Sequence, residues 1–290
     1  MKLVKFKGGL GNQLFQYVFL RRLELLFGQE VKADLSYYKG VAGDDIRKPR
    51  IFSFNVRLNV ASDEELKTVF YFNHSGDPKT LFYKIGIFLE KSLNRKYYFE
   101  KTREYIDTSE ILGYTYYDGY WQSYKYVRDI EGEIRKEVTL STPLADKTKS
   151  WVDILGRENA VFVGIRLGDY LNKKNRKIFG NISKEYYLRG MDTIRANVPN
   201  PMFLVFSNDI KTVREEFADV KNIVFFDDKV SDEEELIIRA SCKHAIISNS
   251  TYNWWGAWLI QGNDKMVIVP RQWYADGRKS DIVPPDWITI

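Results

Sequence analysis

The second half of the chain alternates short apolar runs with longer segments of helical spacing. The runs are rich in β-branched and aromatic residues and too short for buried helices, so each predicts a buried strand. Ser231 with Glu234 predicts a capping box, and Asp209 is placed to cap another helix. This order predicts a parallel sheet with helices on both faces, a Rossmann-like fold. The predicted strands are 161–165, 202–206, 223–226, 245–247 and 266–269, and the predicted helices are 183–198, 210–218, 232–242 and 254–260.

The first half begins in the same way and then becomes less regular. A predicted strand over 2–7 leads through a glycine loop, 8–11, into a predicted helix over 12–27. Later segments with helical spacing are 62–72, 79–93 and an amphipathic stretch over 123–138. Ser141-Thr142-Pro143 interrupts the pattern, and we place a domain boundary there. The prediction is an α/β protein with two Rossmann-like domains facing across a cleft, residues 1–145 and 146–290.

Composition narrows the class of protein. The 290 residues are 44% hydrophobic and 29% charged, a balance typical of a folded protein with a buried core. The net charge of +5 is too modest for a dedicated nucleic-acid-binding protein. A single cysteine excludes an internal disulfide and any zinc site built on several cysteines. The first residues run directly into a predicted strand, so we expect no signal peptide and a soluble, cytoplasmic protein.

A glycine turn lies between the first predicted strand and helix, with the sequence Gly8-Gly9-Leu10-Gly11-Asn12-Gln13. Glycines let the backbone approach a ligand closely, and a helix N-terminus presents free N–H groups to an anion. The spacing fits neither the dinucleotide fingerprint nor a Walker loop. Taken alone, a glycine-rich turn of this kind is more often a simple tight turn, but the two carboxamides at its mouth favour polar recognition.

A second candidate follows the first strand of the second domain, in the sequence Gly164-Ile165-Arg166-Leu167-Gly168-Asp169. Ligands of open parallel sheets bind beyond the carboxyl ends of the strands, where this arginine lies. A guanidinium suits phosphate oxygens because it donates bidentate hydrogen bonds and stays charged. Asp169 could orient the arginine or accept a proton, and a surface salt bridge between the two is the structural alternative.

Two further polar stretches follow predicted strands. Ser207, Asn208 and Asp209 could recognise a base or ribose, or Asp209 could simply cap the next helix. Residues 248–251 form a run of Ser, Asn, Ser and Thr before an aromatic helix. Small hydroxyls and free N–H groups at a helix N-terminus can bind a diphosphate. Four consecutive polar residues exceed what capping requires, so we interpret this run as an anion-binding turn.

Five motifs together resemble one known family. The segments GGLGNQLFQ (8–16), DGYWQS (118–123), VGIRLGDY (163–170), FSND (206–209) and SNSTYNWWGAWL (248–259) are similar to the bacterial α-1,2-fucosyltransferases of glycosyltransferase family 11. They occur in the family's order along nearly the whole chain. One departure is evident: the family usually has His and a second Arg where this chain has Gly164 and Leu167.

The resemblance implies transfer of fucose from GDP-fucose to the 2-hydroxyl of a galactoside, with inversion, on a GT-B fold and without an essential metal or other cofactor. The absence of an Asp-x-Asp motif agrees with metal independence. It also implies an acceptor-side first domain and a GDP-sugar-binding second domain. The residues expected to be catalytic are Arg166, Asp169 and Asn12, and those expected to bind the donor are Gly9, Gly11, Gln13, Gly168, Ser207, Asp209, Ser248, Asn249, Ser250 and Thr251.

Two other functions stay open. The chain could use another nucleotide-sugar, with the change at Gly164 as its cause, or it could be a non-catalytic glycan-binding protein, which its 15% aromatic content would suit. A lectin needs no diphosphate site, so GDP binding separates these alternatives.

The segment 79–103 combines seven basic residues with a series of apolar and aromatic ones. If 79–93 is helical, Leu81, Ile85, Phe88 and Leu89 share one face. Such a helix could lie on the anionic inner membrane surface. The width of the apolar stripe instead favours ordinary packing on the domain core, with the lysines solvated.

Overall fold

The computed structural model describes residues 1–39, 48–71, 81–166, 178, 180 and 182–290, apart from the side chain of Tyr83. The chain forms two compact units. The first consists of Met1–Ser141 with Ser280–Ile282, and the second of Thr142–Lys279 with Val283–Ile290.

A short segment near the end of the chain belongs to the first unit because Asp281 bonds there. The Asp281 carboxylate accepts from the N–H of Tyr105 at 2.8 Å, and its carbonyl accepts from the N–H of Tyr124 at 2.9 Å.

The first unit is built on a five-stranded parallel sheet in the order β3-β2-β1-β5-β4. The central strand β1 is paired on both sides, with Leu3 aligned with Lys32 and Tyr116. The strands are β1 (Lys2–Lys5), β2 (Val31–Asp34), β3 (Asn59–Val60), β4 (Tyr97–Phe99) and β5 (Tyr116–Asp118).

The first unit has one long helix and several shorter ones. The long helix α1 is buried along most of its length, and it starts at Leu10, two residues before its predicted start. The helices are α1 (Leu10–Phe27), α2 (Asp63–Val69), α3 (Leu81–Leu93), α4 (Tyr124–Arg128) and α5 (Glu131–Glu137), with 3₁₀ turns at Ser36–Tyr38, Arg50–Ser53 and Thr108–Ile111.

Two sequence predictions for this unit are wrong. The single helix expected over 123–138 is broken between α4 and α5, where Asp129 pairs with the Arg22 guanidinium of α1 and Ile130 leaves helical geometry with φ of −132°. The second concerns α3, whose apolar face was expected to pack on the core. Leu81, Phe82 and Phe88 are instead exposed.

The second unit is built on a six-stranded parallel sheet in the order β11-β10-β9-β6-β7-β8. The central strand β6 is buried at every residue. The strands are β6 (Ala160–Ile165), β7 (Met202–Ser207), β8 (Ile223–Phe225), β9 (His244–Ile247), β10 (Val267–Val269) and β11 (Ile288–Thr289).

Four of the five described helices of the second unit match predicted ones, whereas the helix at Asp146–Arg157 was not predicted. Ser231 caps its helix as expected, at 3.2 Å from the N–H of Glu234, whereas the Glu234 carboxylate accepts from the N–H of Ala145. Because Ser250 is the N-cap of the last helix, that helix starts three residues before the predicted position. The helices are α6 (Asp146–Arg157), α7 (Lys184–Asn197), α8 (Ile210–Glu216), α9 (Asp232–Ala240) and α10 (Thr251–Leu259).

Two parallel sheets, each carrying helices, confirm the predicted α/β class with two Rossmann-like units. One buried cluster of the second unit lies between the sheet and α7, with Met191, Ile194, Val205 and Ile246 among its members. Within the described ranges, none of the helices combines the length and the apolar character needed to cross a bilayer.

Candidate active site

Two polar segments meet at the carboxyl edge of the second sheet because their strands are neighbours. β6 and β9 pair in parallel, with Gly164 opposite Ile247. The segments that follow these residues therefore leave the sheet side by side, and the N–H of Ser248 donates to the carbonyl of Gly164 at 3.1 Å. This juxtaposition is the one that the motifs predicted.

Arg166 lies next to the start of α10. Its Nη1 donates to the hydroxyl of Ser250 at 3.3 Å, and its side chain is half-buried. Ser250 is the N-cap and Thr251 the first residue of the helix, so free backbone N–H groups lie nearby. A guanidinium, a hydroxyl and a helix N-terminus in one place form a site suited to an anion.

Ser248, Asn249 and Ser250 are all buried, and the first two hold the turn in place. Ser248 is fully buried, and its hydroxyl accepts from the carboxamide of Asn253 at 2.8 Å. Asn249 is also buried, and its Nδ2 donates to the carbonyl of Trp273 at 2.9 Å. These polar side chains fix the shape of the turn, whereas Thr251 stays half-buried at its rim.

Asn253 explains the glycine at position 164. Its Nδ2 donates to the Gly164 carbonyl at 3.1 Å as well as to Ser248. A Cβ atom at Gly164 would lie 2.5 Å from the Asn253 Cγ, a separation that real atoms do not adopt. Asn253 therefore occupies the space that the family's usual histidine would need. The sequence analysis quoted Asn253 inside a motif but missed its role.

A buried arginine holds this carboxamide from the other side. The Nη1 of Arg239 donates to the Asn253 Oδ1 at 2.5 Å, and its Nη2 lies 2.6 Å from the Glu235 carboxylate. The guanidinium carbon also lies 4.2 Å from the centre of the Phe206 ring. The charge is paired and hydrogen-bonded, as a buried cation requires. Arg239 thus links α9 to the first turn of α10.

The segment after β7 lies at the same edge, and its aspartate serves as a cap. One Asp209 oxygen accepts from the N–H of Thr212 at 3.2 Å and the other from its hydroxyl at 2.8 Å. The Ser207 hydroxyl accepts from the N–H of Asp209 at 3.0 Å. Of the two alternatives left open for Asp209, these contacts match helix capping.

The glycine turn of the first unit has one position that favours glycine and one position that is open. Gly8 has φ of +84°, a conformation that favours glycine, and its carbonyl accepts from the hydroxyl of Tyr38 at 2.9 Å. Gly9 caps α1, and apart from its chain neighbours no atom of the described residues lies within 4 Å of where its Cβ would be. Gly11 is buried in the first turn of the helix.

The Gln13 side chain is an internal clamp. It is fully buried, and its Nε2 donates to the carbonyls of Gly8 at 3.1 Å and Lys48 at 2.8 Å. Its Oε1 accepts from the N–H of Ile51 at 3.0 Å. The carboxamide predicted to bind the donor thus holds the 48–51 segment against the glycine turn.

Asn12, in contrast, is half-buried and connects two of the family motifs. Its Oδ1 accepts from the Nε2 of Gln122 at 2.9 Å, which joins the glycine turn to the DGYWQS segment. Gln16 makes a second connection, since its buried Nε2 donates to the carbonyl of Gly119 at 3.2 Å.

An ionised carboxylate lies at the carboxyl end of β5. Burial by itself would raise the pKa of Asp118, but the ammonium groups of Lys5 and Lys7 and the hydroxyl of Tyr97 outweigh it and hold the pKa at about 2. The closer ammonium, that of Lys7, makes a direct ion pair with the carboxylate. The sequence analysis did not identify this cluster, because the three segments are far apart in the chain.

Two predicted residues, Gly168 and Asp169, lie outside the described residues. Among those that are described, no three His, Cys, Asp or Glu side chains are grouped closely enough to hold a metal ion.

Comparisons with known proteins identify the family and two relatives that match nearly the whole chain. The family model "Glycosyl transferase family 11" matches residues 1–290. The Escherichia coli O-antigen biosynthesis glycosyltransferase WbnK is 26% identical over 302 residues, or 98% of each chain. An alpha-1,2-colitosyltransferase from Escherichia coli is 27% identical over 293 residues, which cover 99% of this chain and 97% of that protein.

Two further similarities are one to a relative that matches about half of this chain and one to a solved structure of low sequence identity. Galactoside alpha-(1,2)-fucosyltransferase 1 of Saimiri sciureus is 30% identical over 174 residues, 56% of this chain and 47% of that protein. The crystal structure of fucosyltransferase NodZ from Bradyrhizobium matches with a TM-score of 0.48 at 11% identity, over 88% of this chain and 92% of that one. The match of the family model to the whole chain is decisive: this chain belongs to glycosyltransferase family 11 and is a nucleotide-sugar-dependent glycosyltransferase.

Proposed function

We propose that this enzyme transfers L-fucose from GDP-fucose to the 2-hydroxyl of a galactoside, with inversion at the anomeric carbon, during synthesis of a glycan or surface polysaccharide in the cytoplasm. One observation carries the proposal: Arg166 lies against Ser250, the N-cap of α10, at the carboxyl edge of the second sheet. The names of the relatives, an O-antigen glycosyltransferase and α-1,2-transferases of colitose and fucose, support the same reaction class.

In the proposed mechanism, the residues of the second unit stabilise the leaving group. Negative charge develops on the diphosphate as the bond between the fucose C1 and the phosphate oxygen breaks. Arg166, the hydroxyls of Ser250 and Thr251, and the free N–H groups of α10 would donate to the phosphate oxygens. Donors fixed in advance toward developing charge are a large source of rate enhancement. We propose no role for a metal ion in this step.

The acceptor is assigned to the first unit. Its 2-hydroxyl oxygen would form the new bond to C1 from the face opposite the diphosphate, so the configuration inverts and GDP leaves. The hydroxyl proton would pass to Asp169 or to a diphosphate oxygen. Asn12, already held by Gln122, would orient the attacking hydroxyl.

A second candidate is transfer of a different GDP-activated deoxysugar, such as colitose. One full-length relative bears the name of an α-1,2-colitosyltransferase, and Gly164 with Asn253 replaces the family's usual histidine in this chain. The change at this position could alter the donor that is accepted while keeping the diphosphate-binding residues.

A donor and acceptor panel tests both candidates. The purified enzyme is incubated with GDP-fucose, GDP-colitose and GDP-mannose, each with β-galactosides, and the product linkage and anomeric configuration are read by NMR. We expect an α-1,2-fucosylated product from GDP-fucose. A preference for GDP-colitose would favour the second candidate. Failure to bind GDP in calorimetry would contradict both and support a glycan-binding protein.

A further inference from the structure

Helix α3 has the reverse of the usual orientation of an amphipathic helix. Its apolar side chains point outward: Leu81 is 70% exposed, Phe82 86% and Phe88 66%. Among the described side chains of the helix, Gly86 and Glu90, one helical turn apart, are buried, and Ile87 and Leu89 are half-buried beside them. Exposed apolar side chains that cluster on one face mark an interaction surface.

Polar contacts hold the helix in this orientation. The Nδ2 of Asn94, just after the helix, donates to the Glu90 carboxylate at 2.6 Å and to the carbonyl of Val69 at 2.8 Å. The ammonium of Lys91 lies 3.5 Å from the centre of the Phe99 ring. Rotating α3 so that its apolar face pointed inward would break these contacts. The apolar face therefore stays on the outside, where an apolar partner can cover it.

The exposed charges along this helix and the turn that follows it have one sign. Glu90 is the only acidic residue between positions 81 and 96, and it is buried. The exposed charged side chains that flank the apolar residues are basic, and include Lys84, Arg95 and Lys96. Exposed apolar side chains beside basic ones are typical of helices that lie in the interface of an anionic membrane.

We propose that α3 binds the surface of an anionic lipid bilayer, with Leu81, Phe82, Ile85 and Phe88 among the acyl chains. The cations of Lys84, Arg95 and Lys96 would contact the lipid phosphates, each adding roughly fivefold to the affinity. A second copy of this chain fits this face less well, because a two-fold interface would bring the same basic residues against each other. The proposal does not depend on which sugar the enzyme transfers.

Flotation with lipid vesicles tests it on the full chain. One set of vesicles contains phosphatidylethanolamine and phosphatidylglycerol, and the other contains phosphatidylcholine alone. We expect binding to the anionic vesicles that weakens as salt increases. Replacing Lys84, Arg95 and Lys96 with Glu should weaken binding by about 100-fold or more. A matched control exchanges three exposed basic residues of the second unit for Glu, namely Arg157, Lys221 and Lys229, and should lose far less.

A second variant tests the apolar contact separately. Phe82→Ser with Phe88→Ser keeps every charge and should also reduce vesicle binding at least tenfold, on the order of two lost aromatic contacts. Thermal unfolding checks that each variant stays folded, as expected for exposed positions. Absence of binding by the folded native chain at low salt would overturn the proposal. So would a concentration-dependent dimer that the two serine substitutions abolish.

Discussion

The glycine turn of the first unit and the edge of the second sheet use polar side chains differently. In the turn, the Gln13 and Gln16 carboxamides are fully buried and bonded to backbone groups. At the sheet edge, Ser248 and Asn253 have the same internal role, but Arg166 beside them remains half-buried and charged. Both regions match family motifs, and the second combines the cation of Arg166 with the N-terminus of α10.

The difference shows that a motif contains residues of two kinds. Some fix the backbone from inside and have no surface left for a ligand. Others remain accessible and can contact a substrate. Burial and hydrogen-bond partners separate the two kinds, and residue type does not, because Gln13 and Asn12 are neighbours with similar side chains and different surroundings.

The largest expected effect is on stability, in the glycine turn. Gln13→Leu would leave the buried N–H of Ile51 without its partner, at about 1–3 kcal/mol, and would remove the hydrogen bonds to the carbonyls of Gly8 and Lys48. We expect the free energy of unfolding to fall by about 2–4 kcal/mol in urea denaturation. Gln261→Leu, at an exposed glutamine, is the matched control. A loss no greater than that of the control would show that Gln13 is not a clamp.

At the sheet edge, the expected effect is on chemistry instead. Arg166→Ala should lower kcat by about 100-fold, the scale of removing one principal donor to developing charge. Its stability should stay near that of the native chain, because the side chain is half-buried. Arg195→Ala, at an exposed arginine paired with Asp192, controls for loss of charge in the same unit. Near-normal turnover by the folded Arg166 variant would remove the proposed diphosphate role.

A smaller loss of stability is expected from a substitution that tests the contact between Gly164 and Asn253. Gly164→Ala would push the Asn253 carboxamide away from Ser248, and overpacking of this kind costs about 1–3 kcal/mol. The double variant with Asn253→Ala should be more stable than the sum of the two single losses predicts. Additive losses in this double-mutant cycle would mean that the two positions do not compete for space.

The smallest expected effect is that of metal removal. Activity should persist in excess EDTA, since the proposed stabilisation of the leaving group comes from Arg166, hydroxyls and backbone N–H groups. Loss of activity that Mg²⁺ or Mn²⁺ restores would contradict this prediction and would call for a metal-binding group beside the diphosphate site.

Much of the fold could be predicted from the sequence because it depends on local patterns. Short β-branched runs located five of the six described strands of the second sheet to within one residue, whereas the two-residue strand β11 was not predicted. The break between α4 and α5 could not be predicted, because it follows the pairing of Asp129 with Arg22, which lies more than 100 residues away in the chain.

The candidate site, too, has features that the sequence predicted and features that depend on tertiary contacts. The sequence alone determined that Arg166 and the serine-rich turn follow parallel strands, and such strands end at a common edge, so their proximity could be inferred. Only the tertiary structure decided which side chains are buried there. The clamp made by Gln13, the space that Asn253 takes at Gly164 and the outward face of α3 all depend on contacts between distant segments. Hydrophobic periodicity describes one element at a time and carries no information about what lies opposite it.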